Sequence, residues 1–335
     1  MAKVIVIGAG KIGQKLSELL IEKGHRVLAQ ATRTRVAWGE LNLEFQDVGV
    51  DGIIEALRPS AAEADAVMLA IPNGDKGVAE LKYMSAFRGK HIITCAKAAH
   101  AFKYGEVLAL GQPIGRRATV GGGTDMLEVL LRRHLGSEVV TIYTVLNGTL
   151  NYVWSIIQAG GSFAAAIDDA KSLGFAEPSN DDPVAILNGE LADVCMKSAI
   201  LKSVALPCDA GHLSADDINI IPLTSADIPR LTSRNARYRF IVTFSTVPDV
   251  DEIAEGTPGS IRAKCGRWNI VGGFHDVKAE SPWYDWLRQI DGVNNGFTIH
   301  NSLGKDTGNS LGGPGAGPEV TAKAMIRDLH DLLAI

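Results

Sequence analysis

Cysteine is scarce and scattered: Cys95, Cys195, Cys208 and Cys265 lie far apart and form no CxxC pair. This excludes a disulfide framework or a zinc ribbon, fits a reducing, cytoplasmic setting, and gives no reason to expect a metal site. Long apolar runs are missing as well. The N-terminal run at residues 4–7 is only strand-length and breaks at Gly8, too short for a secretion signal or a membrane helix. Positive charge is in slight deficit, with 33 Lys and Arg against 38 Asp and Glu for a net charge of −5. No field therefore exists to draw nucleic acid or an anionic membrane, and a small molecule becomes the expected partner. Aromatic residues make up 6% and hydrophobic residues 46% of 335 residues, enough apolar content for about two packed domains.

What is present begins with a buried-strand pattern. Lys3-Val4-Ile5-Val6-Ile7 is continuous and β-rich, as in a strand covered on both faces of a parallel sheet. Across residues 11–23 the apolar Ile12, Leu16, Leu19 and Leu20 recur at helical spacing, and Gly24 supplies a stop. Strands are predicted at 26–31, 66–71 and 91–95, with helices around 52–57 and 78–87 between them. That alternation implies right-handed crossovers and a doubly wound parallel sheet. After about residue 120 the rhythm changes to helices at 126–134, 150–158, 163–173 and 189–205, mixed with an alternating strand at 239–246. A glycine cluster at 312–317 precedes an amphipathic helix at 320–333 and reads as a return to the cofactor side.

Gly8-Ala9-Gly10-Lys11-Ile12-Gly13 matches GxGxxG between that first strand and first helix. The first glycine permits the tight turn, the second lets a pyrophosphate approach the backbone, and the third allows close helix packing at a positive helix terminus. A dinucleotide site at Gly8, Gly10, Lys11, Ile12 and Gly13 is expected. Asp or Glu at the end of the second strand would select NAD. Here Ala31-Thr32-Arg33-Thr34-Arg35 carries no acid, so Arg33 and Arg35 become candidate ligands of a 2′-phosphate, and NADP(H) is preferred with NAD(H) possible. Pro72 and Asn73, closing the next strand, Lys97, and Gly315 of the late glycine cluster are grouped with the cofactor residues.

Asp193 and Lys197 lie four apart on one predicted helix, on the same face. An exposed acid and lysine at that spacing ordinarily make a modest helix stabiliser. Lys97, however, is predicted at the end of the strand at 91–95, where an open α/β sheet presents residues to its ligand crevice. A lysine buried near another cation can exchange a proton near neutrality.

With these residues placed, the sequence resembles the homoserine dehydrogenase family over nearly its whole length. Gly89-Lys90-His91-Ile92-Ile93-Thr94-Cys95-Ala96-Lys97-Ala98 is similar to the family's GKHVVTANKA, and Thr119-Val120-Gly121-Gly122-Gly123 to its TVGGG. Leu146-Asn147-Gly148-Thr149-Leu150-Asn151-Tyr152 resembles LNGTTNY, and Leu173-Gly174-Phe175-Ala176-Glu177 resembles LGYAE. Asp193 and Lys197 fit DxxxK, and residues 313–322 resemble GxGAGxxPTA. The resemblance implies two active-site lysines, Lys97 and Lys197, with Lys197 exchanging the proton at the substrate oxygen and Asp193 orienting it. It further implies that Glu177 binds the substrate ammonium and that Asn147, Gly148 and Thr149 lie near the substrate carboxylate.

Departures from the pattern are equally specific. No acid stands just before Asn188-Gly189, and the longer loop after Glu177 carries Asp181 and Asp182. Arg117-Ala118 replaces the segment where the family has a cation-holding Glu, so a monovalent cation near Val120 is not expected. Ala96 precedes Lys97 in place of Asn, Val320 replaces a proline, and no regulatory ACT domain is expected after the last helix.

The resulting expectation is an α/β protein with a Rossmann-type doubly wound parallel sheet at residues 1–118 and 312–335. An inserted α+β domain at 119–311 would bind substrate and form a homodimer. The expected activity is NAD(P)-dependent oxidoreduction at a CH–OH group, with L-homoserine and L-aspartate 4-semialdehyde as the leading pair. A divergent dehydrogenase acting on another small hydroxy or amino compound is the alternative, and a catalytically silent NADP(H)-binding sensor is the alternative of another class. A substrate panel separates the first from the leading reading, and tight NADPH binding without turnover would mark the second.

Overall fold

The structure, a computed structural model, describes residues 1–39, 44–133, 140–176, 181–206, 211–233, 237–247, 253–277, 284–301, 311–315 and 317–335. It divides into two compact units: Met1–Thr119 with Pro318–Ile335, and Val120–Gly317.

The first unit contains β1 (Lys3–Ile7), α1 (Lys11–Glu22), β2 (Arg26–Ala31), β3 (Arg35–Trp38), β4 (Gln46–Asp47) and α2 (Gly49–Glu63). It continues through β5 (Ala66–Leu69), α3 (Val78–Ala86), β6 (His91–Thr94), α4 (Ala98–Phe102), α5 (Tyr104–Ala109) and β7 (Ile114–Gly115). Its sheet order is β4-β3-β2-β1-β5-β6-β7. The central strands β2, β1, β5, β6 and β7 pair in parallel. Val4, Val6, Leu16, Leu20, Met68 and Ile93 form one core with Ala322, Met325 and Leu329 of the C-terminal helix Pro318–Leu333. Completely burying each of the larger apolar side chains contributes about 1.5–3 kcal/mol, which is why the last helix docks on the first unit's sheet despite its distance in sequence.

Two features of this unit depart from the sequence expectation. The chain does not pass directly from β2 to a helix: β3 and β4 add an antiparallel edge, with Ala31 opposite Val36 and Val36 opposite Gln46. Arg35 therefore opens a strand, and the Thr32 hydroxyl accepts the Arg35 N–H at 3.0 Å to close the turn. A strand of four residues shows too little alternation to stand out from a loop. Strand β6 also ends at Thr94, so Lys97 stands three residues beyond it as the N-cap of α4.

The second unit contains α6 (Met126–Arg133), β8 (Val140–Val145), α7 (Gly148–Gln158), α8 (Phe163–Ser172), α9 (Pro183–Ala205), β9 (Asn219–Ile221), α10 (Ile228–Leu231) and β10 (Tyr238–Ser245). It ends with β11 (Ser260–Cys265), β12 (Trp268–Asp276), α11 (Tyr284–Leu287), β13 (Asn294–Asn301) and β14 (Leu311–Pro314); the C-terminal helix is α12. Its sheet runs β14-β13-β8-β10-β12-β11-β9, and its pairings are antiparallel. Trp154 of α7 packs on Phe274 of β12 with ring centroids 4.4 Å apart. Tyr143, Ile241, Trp286 and Ile290 form a separate apolar cluster.

Helix α9 begins six residues before the expected Gly189. Asp182 accepts the Val184 N–H at 2.9 Å as N-cap and Pro183 occupies the first turn, a strong start signal. The late glycine cluster does not open α12. Residues 311–314 pair with β13, Gly313 opposite Asn295, so the expected boundary at 312 falls instead between 317 and 318.

Candidate active site

In the first unit the glycine turn is shaped by close approach. Gly8 has φ +119°, and a Cβ there would lie 2.1 Å from the Ala70 carbonyl oxygen; a Cβ on Gly13 would lie 1.7 Å from the Gly8 carbonyl oxygen. No side chain is tolerated at either position. Gly10, the N-cap of α1, has nothing within 4 Å of a built Cβ and no side-chain cap. Space is thus open beside Gly10 at the positive end of α1, where a pyrophosphate would fit. Lys11 is exposed and Ile12 packs against the core. Arg33 and Arg35 are both exposed, with the Arg35 guanidinium 5.9 Å from the Phe45 ring centroid.

Pro72 and Asn73 are exposed in the loop after β5. Asn73 Oδ1 accepts the Lys97 backbone N–H at 2.6 Å, so the structure joins two residues that the sequence placed near the cofactor separately. A third, Glu80 of α3, has no signal in the sequence, because an acid in a helical pattern reads as surface. It is buried: its carboxylate accepts the Thr94 hydroxyl at 2.9 Å and the Ala99 N–H at 2.8 Å. These bonds fix the segment that carries Lys97 from both ends. Cys95 lies in the same segment, and burial pushes its thiol up to about 12.

Arg117, which stands where the family pattern has a cation-holding acid, is buried. Its backbone N–H donates to Asp328 at 2.8 Å and its guanidinium to Asp331 at 2.7 Å. It fastens α12 to the chain leaving β7.

In the second unit one network gathers the remaining residues. Glu190, Asp193 and Lys197 of α9 follow i, i+3, i+7 spacing and share a face. Lys197 Nζ lies 2.7 Å from Asp193 Oδ2 and donates at 2.8 Å to the Leu146 carbonyl oxygen. Asn147 caps α7, its Oδ1 accepting the Leu150 N–H at 2.8 Å. Its Nδ2 donates to Glu190 Oε2 at 2.6 Å and to Asp193 Oδ2 at 3.0 Å. One amide thus holds two carboxylates together beside a nearly buried lysine. Glu190 was not singled out by the sequence; it lies on the helix predicted at 189–205, one turn before Asp193, but only the fold brings Asn147 onto both acids.

The other residues expected here have definite places. Gly148 and Thr149 open α7, and the Thr149 hydroxyl donates to the Phe175 carbonyl at 2.8 Å. Glu177 lies outside the described residues. Asn188 exchanges two hydrogen bonds with the Leu223 backbone, at 3.0 and 2.8 Å, and Asp181 pairs with Lys171 at the surface. With Asp182 serving as a helix cap, neither loop acid joins the network. Gly315 lies in the second unit, against Asn295.

The first unit thus offers a glycine turn with space beside Gly10, and the second a lysine held by a carboxylate on its long helix. The chain belongs to the homoserine dehydrogenase family, whose model matches residues 126–330. The NAD(+)-dependent homoserine dehydrogenase of Pseudomonas canavaninivorans is 29% identical over 72% of the chain, which spans 62% of that relative's length. The homoserine dehydrogenase of Sulfurisphaera tokodaii is 26% identical over 98% of this chain and 97% of its own. A hyperthermophilic archaeal homoserine dehydrogenase, solved in complex with NADPH, superposes with a TM-score of 0.69 at 19% identity, covering 100% of this chain and 98% of that one. The chain spans only about three fifths or less of the length of the first of these relatives and of the Mycobacterium bovis homoserine dehydrogenase. Among the described residues no helix is long and apolar enough to cross a membrane.

Proposed function

We propose that this protein is an NAD(P)-dependent homoserine dehydrogenase that interconverts L-homoserine and L-aspartate 4-semialdehyde. The observation that carries the reading is the state of Lys197. Two of its three N–H donors are engaged, by Asp193 and the Leu146 carbonyl, which leaves one for a substrate oxygen. A nicotinamide bound to the first unit supplies or accepts the hydride. As the aldehyde is reduced, Lys197 donates a proton to its oxygen; in the reverse direction the neutral amine takes the hydroxyl proton. Asp193 and Leu146 hold the nitrogen in either state, so little reorganisation accompanies transfer.

The substrate ammonium is assigned to the carboxylate pair of Glu190 and Asp193, together with Glu177. With Lys197 included, Glu190 and Asp193 leave one net negative charge, which favours a cationic group. Glu190 thus supplies the acid missing before Asn188. Lys97 serves as the second lysine of the reaction, and Asn147, Gly148 and Thr149 form the expected carboxylate end.

The first unit is assigned to the cofactor and the second to substrate and to homodimer formation. NADP(H) is the preferred cofactor, because Arg33 and Arg35 stand where NAD-selective sites carry an acid; NAD(H) remains usable. A panel of small hydroxy and amino compounds, followed by nicotinamide absorbance, tests the assignment. Turnover should be highest with L-homoserine; a better substrate without an amine would overturn it, and binding without any turnover would favour the sensor alternative.

A further inference from the structure

We propose that Asn295 is a positioning residue for Lys197, acting through the Leu146 carbonyl, and that Gly315 and Gly122 are glycines because the Asn295 amide needs the space. The inference rests on the reading of Lys197 as the proton-transferring group.

The Leu146 carbonyl oxygen receives two donors: Lys197 Nζ at 2.8 Å and Asn295 Nδ2 at 3.1 Å. A carbonyl oxygen has two lone pairs, so both are occupied and the peptide plane is fixed. The amide assignment follows from chemistry, since only the nitrogen end can donate to a carbonyl. The position of Lys197 therefore depends on two anchors, Asp193 directly and Leu146 as held by Asn295.

Asn295 is fully buried on β13, and its Oδ1 has no hydrogen-bond partner among the described residues. Burying an amide with one end unsatisfied is unfavourable, and a leucine would fill the same space without that cost. Packing alone does not account for an asparagine here, whereas the donor aimed at Leu146 does.

The neighbouring glycines support the same role. A Cβ on Gly315 would lie 2.2 Å from Asn295 Cγ, 2.3 Å from Oδ1 and 2.5 Å from Nδ2. The Asn295 amide thus lies against the Gly315 backbone. Gly122, at φ +57°, would place a Cβ 2.7 Å from the Gly315 carbonyl oxygen. Gly122 thus lies against the Gly315 carbonyl and Gly315 against the Asn295 amide, which explains Gly315 without a cofactor contact.

The test uses the full chain with Asn295→Asp and Asn295→Leu, which keep the side chain's shape but lose the donor, and Gly315→Ala, which pushes on the amide from outside. The expected result is a fall in kcat of about 10-fold or more in all three, with homoserine and nucleotide KM nearly unchanged, since a small misplacement of a reacting group acts on the chemical step. In the same variants the acetylation rate of Lys197 by acetic anhydride, read by mass spectrometry against exposed Lys23, should change. Folded variants with wild-type kcat and unchanged Lys197 acetylation would overturn the proposal, as would a loss confined to melting temperature or nucleotide affinity. If the wild type does not turn over homoserine, the functional reading fails alone and the acetylation comparison still decides the role of Asn295. If no variant folds, a crystal structure of the wild type decides: an Asn295 amide away from the Leu146 carbonyl overturns the proposal, and one seated on it supports it.

Discussion

At the scale of single residues, the account turns on one nitrogen. Lys197 held by Asp193 at 2.7 Å and by a backbone carbonyl at 2.8 Å has a fixed position and one remaining donor. Lys197→Ala should lower kcat by at least ~10²-fold, the low end of general acid-base contributions, with nucleotide affinity nearly intact. Rates near wild type, measured at saturating substrate, would remove Lys197 from the chemistry. Glu190 makes a separate claim. If it faces the substrate ammonium, Glu190→Gln should weaken homoserine binding by about 1.5–3 kcal/mol, the range for hydrogen bonds to charged groups. Substrates lacking the amine should show no such loss; an equal loss would mark Glu190 as a support for Asn147 only. Asp193 and Lys197 were legible because i, i+4 spacing on a helix is read directly from sequence. Glu190, Glu80 and Asn295 were not, because each acts through a partner from another element: Asn147, the segment at 94–99, and Leu146.

At the scale of elements, the buried parallel strands of the first unit and most helices stood out, while the edge strands β3 and β4, the antiparallel strands β8, β11, β12 and β13 and the capped start of α9 did not. The turn from β1 into α1 follows from GxGxxG; β3 and β4, four and two residues long, carry too little pattern. The contact between the start of β2 and the last turn of α12 was also invisible in sequence, since its partners lie 305 residues apart. There His25 Nε2 faces His330 Nε2 at 3.0 Å while His25 Nδ1 accepts the Ala2 N–H at 3.2 Å. Only one proton fits between the two Nε2 atoms, so the contact needs His330 to accept. Burial first, then His330, the N-terminal amine and Lys23 hold the His25 pKa below its ordinary value. The unfolded chain therefore binds the proton more readily, with a pKa of about 6.5. The contribution to stability is fully present above that pH and is lost as pH falls below it toward the folded value. Thermal melts from pH 8 to pH 5 should show a steeper acid loss for wild type than for His25→Gln. Parallel curves would show that this contact does not set the pH response.

At the scale of the whole molecule, two units have separate cores: one carries the glycine turn and the arginines after β2, the other the lysine network. Under the proposed function, cofactor choice belongs to the first. A 2′-phosphate on Arg33 or Arg35 gains a charge-assisted contact, and a preference of about 10- to 100-fold for NADP(H) corresponds to ~1.4–2.8 kcal/mol. Titrating both cofactors against wild type and the Arg33→Ala, Arg35→Ala double variant should show that preference erased, with NAD(H) affinity unchanged. Equal affinities in the wild type would leave the arginines as solvated charges. Placing the glycine cluster correctly was beyond the sequence, since a run of glycines before a helix looks the same whether it cradles a phosphate or pairs in a sheet; only the pairing of β14 with β13 distinguishes them.

The proposed function requires direct hydride transfer between the hydroxymethyl carbon of homoserine and a nicotinamide, with Lys197 exchanging the proton. L-Homoserine deuterated at that carbon, incubated with NADP⁺ and the protein, tests it in one measurement by mass spectrometry of the nucleotide product. Deuterium should appear in the reduced nicotinamide, at least ~10²-fold more slowly with Lys197→Ala. A reduced nicotinamide free of deuterium, or no reduction under conditions where the nucleotide binds, would contradict it.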